Sequence, residues 1–139
     1  MRVIRTETEI DAPPAAVWAV LTDFGDYPAW NPLIPEASGT LAVGEILTLH
    51  MVIGDRPQTF TPEVRAVREN TELAWLSALR WTWLLSAEHR FTLSEVGGTT
   101  RLVHSEVFRG ALVPLLRTTI DQTERDFRAF NAALKEWVE

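Results

Sequence analysis

The chain has 139 residues, of which 46% are hydrophobic and 23% are charged, so it is long enough to bury one hydrophobic core. Its formal charge of −6 and its scattered basic residues argue against a nucleic-acid partner, and no apolar run is long enough for membrane insertion. There is no cysteine, which excludes disulfides and thiolate chemistry and favours a cytoplasmic location. No repeat or linker divides the chain, so we expect residues 1–139 to form a single domain.

The N-terminal part of the chain predicts one strand followed by two short helices. Residues 2–10 alternate between apolar and polar side chains, which is typical of a half-buried strand. Asp11 is placed to cap a short helix, because its carboxylate can accept hydrogen bonds from the first free N–H groups. The segment 22–38 is rich in glycine and proline and predicts a second short helix near 24–29, followed by an extended arm.

The middle of the chain alternates with a period of two and predicts antiparallel strands. The recognisable strands lie at about 47–53, 57–68, 72–77, 82–94 and 99–109. Gly97 and Gly98 separate the last two, where a two-residue turn requires residues that tolerate positive φ. The last two strands are therefore expected to form a hairpin.

After Gly110 the apolar period becomes helical. The apolar face repeats at steps of three and four residues: Leu116, Ile120, Thr123, Phe127, Phe130, Leu134 and Val138. A helix of some 25 residues is roughly 37 Å long, and its apolar face needs a sheet to lie against. We therefore expect an α+β fold in which a curved antiparallel sheet of about seven strands wraps around a long C-terminal helix, with two short helices after the first strand.

The Gly97-Gly98 turn fixes which hairpin residues lie opposite each other. With these glycines at the centre of the turn, His89 lies opposite Glu106 and Phe91 lies opposite His104. The same side of the hairpin receives mostly apolar residues: Trp83, Leu85, Leu93, Leu102 and Phe108. The other side is mainly charged, so we expect the side with the two histidines and the glutamate to face the interior.

Three interpretations of His89, His104 and Glu106 remain open. They form a buried network that satisfies itself, or they orient the hydroxyl or carbonyl group of a ligand in an apolar pocket. In the third interpretation His89 is a general acid or base tuned by Glu106, with His104 as an auxiliary donor. The histidines lack the spacing of a metal site, so no metal is expected.

Other aromatic residues are assigned by their phase along the chain. Trp75 and Phe127 are expected to line the pocket together with Trp83, Phe91 and Phe108, although both also suit a plain core. His50 has the opposite phase to its apolar neighbours and is expected to face solvent. Trp81 is expected in a loop near the mouth of the pocket.

Three parts of the chain together resemble a known superfamily. These are the stretch VWAVLTDFGDYPAWNPLI, the segment GGTTRLVHSEVFRG and the long final helix. They are similar to the START/Bet v 1-like superfamily, whose bacterial members are called polyketide cyclase/dehydrase-like or SRPBCC proteins. The resemblance spans residues 7–137 and implies a helix-grip fold with a cavity under the long helix. Because the superfamily includes carriers, cyclases and co-chaperone-like modules, the resemblance does not fix the activity.

We therefore expect a protein that binds a small hydrophobic or aromatic molecule between the sheet and the C-terminal helix. A polyketide cyclase or dehydratase that uses a His–Glu pair is one alternative, and a co-chaperone-like protein-interaction module is another. No cofactor is implied. Whether the chain is an enzyme, and whether it forms a homodimer, is left open.

Overall fold

The computed structural model describes all 139 residues and contains eight strands and three α-helices. The helices are α1 (Pro14–Leu21), α2 (Tyr27–Trp30) and α3 (Arg117–Val138), with 3-10 turns at Phe24–Asp26 and Val113–Leu116. The strands are β1 (Arg2–Ile10), β2 (Glu36–Ser38), β3 (Thr48–Ile53), β4 (Arg56–Phe60), β5 (Glu63–Arg68), β6 (Glu72–Ala78), β7 (Ser86–Val96) and β8 (Thr99–Arg109). None of the helices combines the length and the apolar character that crossing a membrane requires.

The strands form two antiparallel sheets that together hold α3. The larger sheet has the order β1-β8-β7-β6-β5 and the smaller has the order β2-β3-β4. A single bridge between Ile46 and Glu63 joins them. The apolar face of α3 is buried against this surface through Ile120, Phe127 and Phe130, among others. The predicted helix-grip arrangement is confirmed, with eight strands where about seven were expected.

The β7–β8 hairpin has the register that its turn predicts. Gly97 and Gly98 adopt φ values of 57° and 86°, and Val96 pairs with Thr99 across them. The pairing continues without a bulge to the far end of both strands. Side chains that alternate along the two strands therefore share one face over the whole hairpin.

The expected strand at 57–68 is in fact two strands, β4 and β5, which lie in different sheets. Pro62 separates them, because it has no N–H group to donate to a strand ladder. Its carbonyl oxygen instead accepts a hydrogen bond from the N–H of Leu47 at 2.9 Å. The prediction of one continuous strand is wrong for this reason.

The expected start of β7 at residue 82, with Trp83 facing inward, is also wrong. The chain turns at Arg80, whose φ is 46°, and β7 begins only at Ser86. The Trp83 carbonyl accepts a hydrogen bond from the N–H of Ala111, which lies beyond the end of β8. Trp83 is therefore in a loop and is 65% exposed.

The segment between β1 and β2 is held by side chains that bond to the backbone. The Tyr27 hydroxyl donates to the carbonyl of Leu21 at the end of α1, and Oδ1 of Asn31 accepts from the N–H groups of Leu33 and Ile34 at 3.0 and 2.8 Å. The Trp30 ring packs edge-on against Phe130 of α3 with centroids 5.3 Å apart. These contacts fix α2 against the long helix.

The cap expected at Asp11 does not form. Helix α1 begins at Pro14 with Pro13 at the cap position and no side-chain cap hydrogen bond. The Asp11 backbone N–H donates instead to Oε2 of Glu139 at 2.8 Å. Pro13 and Pro14 at the start of the helix have no N–H groups, so fewer hydrogen-bond donors are available to a capping carboxylate.

Candidate functional site

The inner face of the hairpin carries the two histidines and the glutamate that the register predicts. His89 and His104 are buried, whereas Glu88 and Arg90 lie on the opposite face of β7 and pair with each other. His50 is exposed, with Nδ1 3.2 Å from the Thr59 hydroxyl. The predicted orientations of all three histidines are therefore confirmed.

Hydrogen bonds connect His89 and His104 to the first strand and the last helix. The two Nε2 atoms lie 2.6 Å apart, and Nδ1 of His104 lies 2.9 Å from Oδ1 of Asn131 on α3. The Asn131 amide nitrogen donates to the Thr6 hydroxyl at 2.9 Å, and that hydroxyl donates to the backbone carbonyl of His104 at 2.8 Å. Three elements that are distant in sequence are thus joined by one chain of buried polar groups.

The donor and the acceptor of each hydrogen bond in this network can be assigned by starting from the Thr6 hydroxyl. The Thr6 hydroxyl has one hydrogen and gives it to a carbonyl oxygen, which can only accept, so the hydroxyl must accept from the nitrogen of Asn131. The Asn131 oxygen then faces Nδ1 of His104, so that Nδ1 carries the proton. Neutral His104 must accept at Nε2, and His89 donates there from its own Nε2. This leaves Nδ1 of His89 as a bare acceptor.

Glu106 lies beside that acceptor. Its Oε2 is 3.7 Å from Nδ1 of His89, which is too long for a direct hydrogen bond, and its side chain is 12% exposed. Burial disfavours the carboxylate and raises the pKa of Glu106 to about 8. At neutral pH this residue is therefore a protonated carboxyl group that can donate a hydrogen bond.

Burial acts on the two histidines in the opposite sense. It lowers the pKa of His89 to about 3, and it lowers the pKa of His104 well below its usual range. The neighbouring His89 lowers the pKa of His104 further, while the bond to Asn131 partly opposes this. His89, His104 and Glu106 are thus all uncharged at neutral pH, which is consistent with the neutral His104 in the proton arrangement above.

Aromatic rings enclose both imidazoles. The His104 ring stacks on Phe127 with centroids 3.8 Å apart and on Phe91 with centroids 4.4 Å apart. The Phe91 ring also lies tilted against His89, with centroids 4.9 Å apart. Trp75 lies 5.0 Å from His89. A molecule that touched His104 would have to displace one of these rings. Both ring nitrogens of His104 also already have partners.

The aromatic enclosure does not extend to one end of the hairpin, which we call the open end. Beyond His89 and His104, the inner-face residues Ala87, Glu106 and Phe108 are only partly buried. This end is bounded by the loop that carries Trp83 and by the 3-10 turn before α3. A surface depression of about 430 Å³ lies at the same end, lined by Met1, Arg2, Val113, Pro114 and Arg117. Among Glu106, His89 and His104, Glu106 is thus the residue closest to solvent at this end.

A second depression lies on the other side of the network. It measures about 240 Å³ and is lined by residues of β1 and α3: Glu7, Thr8, Arg128, Asn131, Ala132 and Lys135. Its lining is mainly polar and charged. It is therefore less suited than the open end of the hairpin to an apolar ligand.

Sequence reasoning identified three of the five polar residues in the network and missed Thr6 and Asn131. Both have a signal in the sequence. Asn131 follows Phe127 by four residues on the apolar face of α3, and Thr6 shares the inward phase of β1 with Ile4 and Ile10. A lone polar residue at such a position predicts a buried hydrogen bond, although the partner depends on how distant elements pack.

The Thr6–Asn131 bond should be visible as an energetic coupling. We expect Asn131→Leu to lower the free energy of unfolding by about 2–4 kcal/mol, because Nδ1 of His104 loses its acceptor, and Thr6→Val to lower it by about 1–2 kcal/mol. The double variant should lose less than the sum, by about 1 kcal/mol, because the shared bond is lost only once. Urea unfolding measures all three.

Thr8→Val serves as the control for this cycle, because Thr8 lies on the same strand and forms no side-chain hydrogen bond within the chain. It should change stability by less than either variant. Strict additivity of Thr6→Val and Asn131→Leu would contradict the assigned bond.

Comparison with known proteins places this geometry in context. A sequence model of the family described as polyketide cyclase/dehydrase and lipid transport matches residues 1–139. The aromatase/cyclase Zhui from Streptomyces sp. R1128 is similar in structure over 99% of this chain and 93% of its own, with a TM-score of 0.79 and 18% identity. A START superfamily protein from Mycobacterium smegmatis matches over 98% and 96%, with a TM-score of 0.74 and 21% identity.

Protein MLL2253 from Mesorhizobium loti matches over 97% of this chain and 95% of its own, with a TM-score of 0.77 and 22% identity. At these identities the likeness concerns the fold. Among curated protein sequences there is no significant match.

Proposed function

Because the chain belongs to the polyketide cyclase/dehydrase and lipid transport family, within the START/Bet v 1-like superfamily, we propose that it binds a small, uncharged, apolar or aromatic molecule at the open end of the hairpin. The molecule carries a hydroxyl or carbonyl oxygen that contacts Glu106. The observation that carries this proposal is the largely buried carboxyl group of Glu106, 3.7 Å from the bare Nδ1 of His89, on an otherwise apolar inner face.

The chemistry of the pair selects the ligand group. The carboxyl group of Glu106 offers a hydrogen-bond donor, and Nδ1 of His89 offers an acceptor 3.7 Å away. A hydroxyl oxygen can accept from the first and donate to the second, whereas a carbonyl oxygen can use only the donor. A carboxylate ligand would bring a charge into a site that has already neutralised its own groups, which is unfavourable.

The remaining predicted ligand residues take different roles in this proposal. Phe108 lies beside Glu106 and contacts the ligand, while His104, Phe91 and Phe127 form the packed wall behind it. Trp75 belongs to the same wall through its contact with His89. Trp83 stands outside the sheet, at the edge of the opening.

Naphthyl compounds provide a test. We expect 2-naphthol to bind more tightly than 2-methoxynaphthalene, which lacks the hydroxyl hydrogen, and both to bind more tightly than 2-naphthoate. Glu106→Gln keeps an N–H donor and should retain binding, whereas Glu106→Leu should weaken binding about tenfold, which is the value of one hydrogen bond to a buried partner. Intrinsic tryptophan fluorescence measures the affinities.

The pH dependence of ligand affinity tests whether the proton on Glu106 makes the contact, and not merely the polarity of its side chain. Binding of 2-methoxynaphthalene, which does not titrate, should weaken as the pH rises through about 8, where Glu106 loses its proton. Glu106→Gln should bind independently of pH over this range. Glu95→Gln, at an exposed position on the other strand of the same hairpin, is the control and should follow the unmodified protein. Equal affinity of the unmodified protein, Glu106→Gln and Glu106→Leu for 2-methoxynaphthalene would refute the proposed contact.

A second candidate function is acid catalysis of the cyclase or dehydratase type. A pKa of about 8 leaves Glu106 protonated at neutral pH and able to give a proton to a leaving hydroxyl group. His89 is less suited to act as the base, because its pKa of about 3 makes it a weak proton acceptor. The proton on the carbon next to the carbonyl would therefore pass to solvent water as the hydroxyl group leaves as water. Glu106→Gln distinguishes the two functions: it should preserve binding but abolish turnover of a β-hydroxy ketone if Glu106 is the acid.

A further inference from the structure

Two neighbouring segments at the open end expose large apolar side chains. Leu79, Trp81, Trp83 and Leu115 are between 46% and 79% exposed. The two indole rings stack with centroids 5.7 Å apart and an interplanar angle of 16°. We call these four residues the rim.

Backbone contacts hold the two segments of the rim together. The N–H groups of Ala111 and Leu112 donate to the carbonyls of Trp83 and Leu84, both at 3.0 Å. The N–H of Leu115 in turn donates to the carbonyl of Leu112 at 3.0 Å. The exposed apolar side chains are therefore displayed side by side from one supported surface.

The charge around the rim is opposite in sign to that of the whole chain. Residues 77–87 and 107–120 contain three arginines, Arg80, Arg109 and Arg117, and no acidic residue, whereas the chain carries a formal charge of −6. None of the three arginines takes part in an ion pair. The guanidinium carbon of Arg80 lies 4.5 Å from the centroid of the Trp81 ring, so an aromatic ring and a free cation point outward together.

We propose that the rim docks on the surface of an anionic lipid bilayer. Tryptophan and leucine side chains gain from burial at the boundary between headgroups and acyl chains, and unpaired arginines are attracted to anionic headgroups. A bilayer accepts side chains that protrude from loops without requiring a complementary shape. The rim lies at the same end of the hairpin as the partly buried Glu106, so docking brings that end to the lipid surface.

Vesicle binding tests the proposal with the intact chain and without any ligand. We expect co-sedimentation with vesicles of phosphatidylcholine and phosphatidylglycerol, weaker binding to vesicles of phosphatidylcholine alone, and release by salt. The double variant Trp81→Ser/Trp83→Ser should bind the mixed vesicles at least tenfold more weakly. Each of Arg80→Gln, Arg109→Gln and Arg117→Gln should weaken binding about fivefold at low salt.

Matched controls lie elsewhere on the surface. Trp137 on α3 is 47% exposed, so Trp137→Ser removes an exposed indole outside the rim. Arg56 and Arg125 are exposed and form no ion pair, so Arg56→Gln and Arg125→Gln change the net charge by the same amount as the rim variants. All three controls should bind mixed vesicles as the unmodified chain does, and thermal melts should establish that every variant is folded.

Three results would overturn the proposal. The first is no binding to either vesicle, and the second is an equal loss of binding in the rim and control variants. The third is binding of an acidic polypeptide such as polyglutamate through the rim while mixed vesicles remain unbound, which would assign the surface to a protein partner. None of these results affects the naphthol test, because the rim variants leave Glu106 and His89 in place.

Discussion

The free energy of unfolding should be greatest near pH 6.5 and should fall steeply on acidification. The unfolded chain takes up a proton on each histidine near the usual pKa of 6.5, whereas folded His89 does so only near pH 3. Between these values the unfolded state binds more protons, so stability is lost as the pH falls. A difference of this size in pKa corresponds to about 5 kcal/mol for His89 alone, and the lowered pKa of His104 acts in the same direction.

Glu106 produces the opposite slope on the alkaline side. Its folded pKa of about 8 lies above the unfolded value of 4.5, so the folded state holds an extra proton between these values. Its contribution is present below pH 4.5 and is lost as the pH rises to 8. Between pH 4.5 and 6.5 the two histidines outweigh the single carboxyl group, and between pH 6.5 and 8 the carboxyl group is the only one of these three residues that titrates differently in the two states. The maximum near pH 6.5 follows from this balance.

Urea unfolding at a series of pH values tests both slopes. His89→Gln keeps an N–H donor for His104 but does not titrate, and it should reduce the acid slope by one proton. Glu106→Gln should remove the alkaline decline. His50→Gln removes an exposed histidine outside this network and is the control. An acid slope that persists unchanged in His89→Gln would show that other groups control the transition.

Gly110→Ala should be severely destabilising, by roughly 3–4 kcal/mol, because it combines strain with a backbone collision. Gly110 has a φ of 119°, which side chains rarely adopt, and an added Cβ would lie 2.5 Å from the carbonyl oxygen of Leu84 and 2.8 Å from the backbone nitrogen of Leu85. Neither backbone atom can move without breaking the contact between the Trp83 loop and the segment before α3. We expect a lower midpoint of urea unfolding and weaker vesicle binding.

Gly98→Ala isolates the strain from the collision. Gly98 has a φ of 86° in the hairpin turn, and an added Cβ there meets no atom within 4 Å. It should cost about 1 kcal/mol, from backbone strain alone. Equal losses in the two variants would contradict the role assigned to the close approach at Gly110.

The hairpin half of the candidate site could be predicted because its geometry is local. Two glycines set a turn, the turn sets the register, and alternation then sets the face on which His89 and Glu106 lie. The helical half could not be predicted to the same depth. Phe127 was recognised on the apolar face of α3, but its stacking on His104 and the bond from His104 to Asn131 depend on how α3 crosses the sheet, which no local pattern specifies.

The errors arose where alternation continued past the end of a strand. Trp83 keeps the phase of Phe91, yet the hairpin ends at Arg109 and the backbone of Trp83 bonds to Ala111 in a loop. In the same way, the pattern alternates on both sides of Pro62, although the chain passes there from one sheet to the other. The alternation of apolar and polar residues indicates which side chains share a face. Where a strand ends depends instead on how far a neighbouring strand continues to pair with its backbone.

The order in which the chain is synthesised determines when this network can form. Thr6 lies at the beginning of the chain and Asn131 is 125 residues later, on the last element of the fold. A nascent chain that has emerged only as far as β8 would present the inner face of its sheet, histidines included, without the helix that covers it. During synthesis the candidate site is therefore complete only after α3 has emerged, and until then this surface is exposed to solvent and to chaperones.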